Sequence, residues 1–150
     1  MAVDISSEMI GQILALAEVS RDAEVCGLLL GRKDGGQERV EAILPAANVA
    51  PDPTRRFELD PAVLLAAHRH ARAGGPEIVG HYHSHPSGSV EPSAWDARMA
   101  HDDGALWLIV APPAYALWRV ADGGLHGRFY PENIRGLLHH DQDALASRTS

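Results

Sequence analysis

Apolar residues along this chain follow two rhythms, one of helical period and one of short alternating or continuous runs. Met9, Ile10, Ile13, Leu14, Leu16 and Ala17 recur at helical spacing behind Ser6 and Ser7, either of which can cap, so a first helix is expected over about 7–19. The run EVCGLLLGR (24–32) is apolar, closed by glycine, and reads as a buried strand. Turn residues 33–36 join it to ERVEAILPA (38–46), so the two form a hairpin. Residues 48–55 carry two prolines and read as a loop, followed by a brief extended RFEL (56–59).

Pro61 opens a second helix that stops at Gly74-Gly75-Pro76. EIVGHYHSH (77–85) is then a strand, and Ser93 is the natural N-cap of a third helix over 93–101. ALWLIVA, YALWRVA and LHGRFYP read as three closely spaced strands with Pro-Pro and Asp-Gly-Gly turns between them. From about Asp141 the chain becomes polar and Ser-rich and reads as a flexible tail, 141–150, behind a single domain, 1–140. The expected fold class is α/β of the α+β kind, with helices flanking a mixed, mostly antiparallel sheet.

Composition narrows the function. With 150 residues, 45% of them hydrophobic, one domain can bury a core without help from disulfides. A net charge of −7, with no basic run beyond Arg55-Arg56, argues against a nucleic-acid footprint. Cys26 is the lone cysteine, so no internal disulfide forms and nothing points to an oxidising compartment. The N-terminus lacks a basic start with an apolar run, and no segment approaches the ~18 apolar residues of a membrane span. A cytoplasmic enzyme or binding module is expected.

The chemistry concentrates in HSHPSGSVEPSAWD (83–96). Hydrolytic zinc takes three ligands from His, Asp or Glu and leaves a fourth position for water. His83 and His85 end a strand, where alternate side chains share a face, so both can reach one ion. His68 and His70 have the same spacing but lie in the second helix, about 200° apart around the axis, and cannot. His81 continues the strand alternation as a competing candidate, its interior position suiting a packed or supporting role. His101, His126, His139 and His140 have no partner at informative spacing and read as surface residues.

Asp96 is preferred to Glu91 as third ligand, because in the first turn behind Ser93 it can point back to the strand end. The bland reading is that Asp96 completes a capping box with Ser93. Ser93 itself can cap, or its hydroxyl can donate to an oxyanion. Glu24, entering the first strand of the hairpin, is the candidate general base for the water.

Together these residues resemble the JAMM motif of the MPN+ (JAB1/MPN/Mov34) metalloproteases: an upstream glutamate, His-x-His, seven residues, Ser, two residues, Asp. Here it stands as Glu24, His83-Ser84-His85, Pro86 to Pro92, Ser93 and Asp96. EVCGLLLG also resembles the family's first strand, and the element order is similar over about residues 6–130. The resemblance implies an MPN, cytidine-deaminase-like three-layer fold. It implies that His83, His85 and Asp96 bind Zn2+, that Glu24 is general base and proton donor, and that Ser93 helps hold the oxyanion. It further implies cleavage after the Gly-Gly end of a ubiquitin-like protein. The compact chain is more similar to bacterial members that process sulfur-carrier proteins. The tail is expected to pair along 55–59 or 87–92.

Two rival readings remain. RadC-like DNA-repair-associated proteins show a similar HNHPSG stretch, but position 84 here is Ser and no helix-hairpin-helix region precedes it. A non-catalytic MPN scaffold, with Cys26 closing the zinc as fourth ligand, is the other, although this chain has lost none of the motif residues.

Overall fold

The computed structural model of the chain describes residues 2–135, so the expected tail, His139 and His140 lie outside the described residues. In chain order the elements are β1 (Ala2–Asp4), α1 (Ser7–Val19), β2 (Cys26–Asp34), β3 (Gln37–Ala46), α2 (Pro61–Arg72) and β4 (Glu77–Ser84). They continue with α3 (Ala94–Met99), β5 (Leu106–Ala111), β6 (Ala114–Leu125) and β7 (Phe129–Ile134). The strands order as β1-β3-β2-β4-β5-β6-β7 and close into a barrel. The pairs β2–β3, β2–β4, β5–β6 and β6–β7 are antiparallel; β4–β5 and both pairings of β1 are parallel. The mixed, mostly antiparallel sheet with helices is therefore as expected. β1 is too short to show a pattern, yet its three residues pair with β3 on one side and β7 on the other and close the sheet.

Ser6 is the cap of α1, one of the two the sequence offers, and Asp60, which the pattern does not single out, caps α2. Ser6 accepts from the Met9 N–H to start α1, and Asp60 accepts from Ala62 N–H ahead of Pro61 in α2. One expectation needs correction. The Asp-Gly-Gly segment is not the β6–β7 turn; β6 continues through it to Leu125 as a wide bulge, with Val120 and Leu125 both opposite Phe129. Gly123 and Gly124 have φ of 98° and 71°, and a Cβ on either would strike Tyr130 or the Phe129 carbonyl, so glycine here serves the bulge. The brief extended segment 56–59 pairs through a single bridge, Asn48 with Leu59.

β5 is buried along its whole length, which explains its uninterrupted apolar run. On one side, Leu106, Leu108 and Val110 join Ile10, Ile13 and Ala17 of α1 and Tyr82 of β4 in the main core. On the other side Trp107 packs with Ala100, Val120 and Phe129, backed by Phe57 and Trp118. His81 and His83 stand on this second face, each in ring contact with Trp107. β4 lies between β2 and β5, so its C-terminal end is fixed from both sides.

Candidate metal centre

β4 delivers His83, fully buried, and the chain just beyond it delivers His85. Their Nε2 atoms are 3.1 Å apart, and Asp96 Oδ2 lies 3.1 Å from that of His85 and 3.4 Å from that of His83. Ligands held tetrahedrally at ~2.1 Å from one zinc are separated by ~3.4 Å, so this triangle fits a metal face. The proton inventory agrees. His85 Nδ1 donates to the Ser89 carbonyl at 3.0 Å, so that in the neutral ring, the form that binds a metal, Nε2 is the lone-pair nitrogen aimed at the cluster.

Electrostatics separate the two carboxylates near this triangle. Burial alone would raise Asp96, but hydrogen bonds from His83 and His85 outweigh it and hold its carboxyl far below the usual range. Glu24 is buried, and that burial pushes its pKa up to about 7, with His85 opposing and Asp96 adding to the rise. A Glu24 oxygen lies within 4.8 Å of the ligand nitrogens of His83 and His85, so it could also join a metal set. Asp96 is nearer and permanently charged, which makes it the better ligand; Glu24 Oε1 has no hydrogen-bond partner and is poised to exchange a proton. Burial also lowers His83, whereas for His85 the bond to Asp96 overcomes burial and raises it.

Local structure explains the placement of each group. Glu24 precedes β2, with its N–H donating to Pro53 O at 2.7 Å and its carbonyl accepting from Asn48 Nδ2 at 2.8 Å. Ser84, the middle residue of His-x-His, accepts from Val25 N–H at 2.9 Å and so locks the ligand strand to the residue after Glu24. Ser93 caps α3: its Oγ accepts from Asp96 N–H at 3.0 Å while Asp96 Oδ2 accepts from Ser93 N–H at 2.9 Å. The capping box is thus real, and the same oxygen that completes it faces the imidazoles. Because Ser93 Oγ acts as acceptor, its hydrogen is left for another partner, and the residue is exposed.

The remaining candidates fall away. His68 and His70 are exposed on α2, and Glu91 is exposed in its loop. His81 is sandwiched between Phe57 and Trp107, with ring centroids 4.8 and 4.2 Å away, the supporting position expected for it. Cys26 is buried with its thiol toward the carbonyls of Ala46 and Ala47, its pKa raised to about 11 by burial, so it is no fourth ligand.

Several contacts had no signal in the pattern. Asn48 fills all its hydrogen-bonding capacity, donating to Glu24 O and Arg56 O and accepting from Ala50 and Glu58 N–H. Phe57 stacks on His83, and Arg56 lies 3.7 Å over the Trp95 ring. His126, read as a surface residue, is exposed but reaches the Pro92 carbonyl at 3.1 Å, and Trp118 Nε1 donates to Val90 O. Adjacent to the triangle, behind Phe57, a cavity of about 500 Å³ opens between α2 and the 99–105 segment, lined by Leu59, Leu64, His81 and Trp107.

A barrel of this order, with two imidazoles and a carboxylate converging at the end of its central strand, defines a JAB/MPN-type domain. The model for prokaryotic homologs of the JAB domain matches residues 6–121, and the chain belongs to that family. It is 40% identical over 90 residues to a desampylase of Haloferax volcanii, covering 60% of this chain and 63% of that protein. It is 28% identical over 126 residues to the CysO-cysteine peptidase of Mycobacterium tuberculosis, covering 81% and 84%. A probable TtuB-protein conjugate cleaving protease of Thermus thermophilus is 36% identical over 86 residues, 56% of this chain and 55% of that one. The chain thus spans less than two thirds of the desampylase and of the Thermus protein. Among solved structures, a protein of Desulfitobacterium hafniense superposes with a TM-score of 0.75 at 30% identity, covering 92% of this chain and 97% of that one. A JAB1/MPN domain protein of Archaeoglobus fulgidus gives 0.56 at 20% identity over 89% and 98%, a likeness of fold.

Proposed function

We propose that this chain is a zinc-dependent peptidase or isopeptidase that hydrolyses the amide after the C-terminal Gly-Gly of a ubiquitin-like, sulfur-carrier-type protein. The observation that carries the reading is the 3.1–3.4 Å triangle of His83, His85 and Asp96 beside the unpartnered Glu24 carboxylate. Relatives named for cleaving conjugates of ubiquitin-like proteins support the substrate class. The peptidase named for CysO-cysteine supports a small leaving group as one option.

His83, His85 and Asp96 would hold the ion. Zinc in that position supplies an acidified water and Lewis acidity toward the scissile carbonyl. Glu24 takes the proton from the attacking water at Oε1 and returns it to the departing amine, a task open to a buried carboxyl with an oxygen free of hydrogen bonds. Ser93 donates its free hydroxyl hydrogen to the oxyanion. Glycines at the scissile end allow the substrate backbone to approach where a side chain would collide. Both segments where an extended tail could pair already use backbone groups, the Ser89, Val90 and Pro92 carbonyls in one and Arg56 O, Glu58 N and Glu58 O in the other, so the tail would pair with the groups that remain. The cavity behind Phe57 then accommodates residues upstream of the glycines.

The test is product mass after incubating zinc-loaded protein with carriers ending in Gly-Gly plus an extension. The reading expects cleavage after the second glycine, abolished by Glu24→Gln. Carrier binding without any cleavage at full zinc occupancy would instead make the chain a scaffold.

A further inference from the structure

The two histidines of the triangle are held in different ways. His85 is oriented by the bond from Nδ1 to the Ser89 carbonyl. His83 Nδ1 is buried and has no hydrogen-bond partner. Metal-binding imidazoles are ordinarily fixed through the nitrogen that does not ligate, and that device is missing here. The His83 ring instead lies against Phe57, with centroids 4.3 Å apart and planes within 20° of parallel, and meets Trp107 nearly perpendicularly at 5.5 Å.

We propose that Phe57 is a positioning residue for the metal centre: its ring holds His83 in the ligating orientation that no hydrogen bond at Nδ1 enforces. Offset stacking of this kind favours one ring orientation in a packed site beyond what area burial alone would. The segment bearing Phe57 is itself anchored at every side of the centre. Asn48 ties the Arg56 carbonyl to that of Glu24, and the Arg56 guanidinium covers Trp95, the residue before Asp96. Phe57 is therefore placed by the same contacts that place Glu24 and α3. Phe57 packs against the buried cluster of Ala100, Trp107, Val120 and Phe129, which gives it a rigid backing.

The inference rests on the metal reading of the triangle, and the experiment separates the two. Metal-stripped wild type, Phe57→Leu, Phe57→Met and Phe57→Tyr are titrated with zinc against a chromophoric chelator, and with cobalt while its visible absorption is recorded. Thermal unfolding of the metal-free proteins is measured alongside. Leu and Met keep apolar bulk without a ring, so a variant that fails to fold is replaced by the other. The proposal predicts zinc affinity reduced roughly 3- to 10-fold in Leu and Met and an altered cobalt spectrum, with both restored by Tyr. It is overturned if a folded Leu or Met variant binds zinc as tightly as wild type with an unchanged spectrum, or if Tyr fails to restore affinity. Wild type that binds neither metal would sink the metal reading itself, and the role of Phe57 with it.

Discussion

At the residue scale the chemistry turns on two neighbouring carboxylates with opposite assignments. Asp96 stays charged because two imidazoles face it; Glu24 holds a proton to about pH 7 because it is buried. Environments that push paired carboxyls apart are how one site obtains both a permanent anion and a proton carrier. Glu24→Gln is expected to retain zinc while turnover falls by several orders of magnitude, read from metal content and single-turnover rates. His83→Ala and Asp96→Ala should lose zinc, whereas His68→Ala and His70→Ala should keep it. Glu24 also leaves a stability signature in the metal-free protein. Its folded pKa is raised above 4.5, so its protonated form is favoured by folding, and that contribution disappears as pH rises through about 7. Glu24→Gln should therefore stabilise the metal-free protein by about 2 kcal/mol near pH 8 and by almost nothing near pH 4, as measured by urea unfolding. A bound dication lowers the Glu24 pKa, so the acid limb of the rate should fall below pH 7.

At the element scale the site depends on a loop that pattern reading treats as featureless. Asn48 satisfies four backbone groups and fixes Glu24, yet one Asn before two prolines looks like ordinary turn composition. Asn48→Ala is expected to lower stability by about 2–3 kcal/mol and to reduce kcat, checked by denaturant unfolding and steady-state kinetics. β4 and α3 were legible for a physical reason: strand alternation and the capping pair Ser93–Asp96 are local, and the proposed ligands sit on or beside those local devices. Phe57, Trp118 and His126 act through contacts between segments distant in sequence, for which periodicity carries no signal. The Asp-Gly-Gly segment misled because glycines mark a bulge as readily as a turn. At Gly80 the main chain of β5 is so close that a Cβ would strike the Leu106 carbonyl. Gly80→Ala should separate β4 from β5 and cost both folding yield and metal binding.

At the scale of the whole molecule, the barrel sets the site by closing around β4. Mixed pairing was legible from the strand signals, but closure was not, since β1 contributes only Ala2, Val3 and Asp4. Arg119 on β6 supports this architecture, pairing with buried Glu38 of β3 at 2.8 Å and with Glu132 of β7 at 2.6 Å. Arg119→Leu leaves Glu38 with only Lys33 Nζ, 3.7 Å away, and is expected to lower the melting temperature. The central claim is that one ion held by His83, His85 and Asp96, with Glu24 beside it, cuts after a terminal Gly-Gly. Intact-mass analysis of a Gly-Gly-extended carrier, incubated with the zinc-loaded protein, tests it most directly. The account predicts one cut after the second glycine, lost on chelation, restored by zinc and absent with Glu24→Gln. Cleavage that survives chelation, or that Glu24→Gln leaves at the wild-type rate, would contradict it.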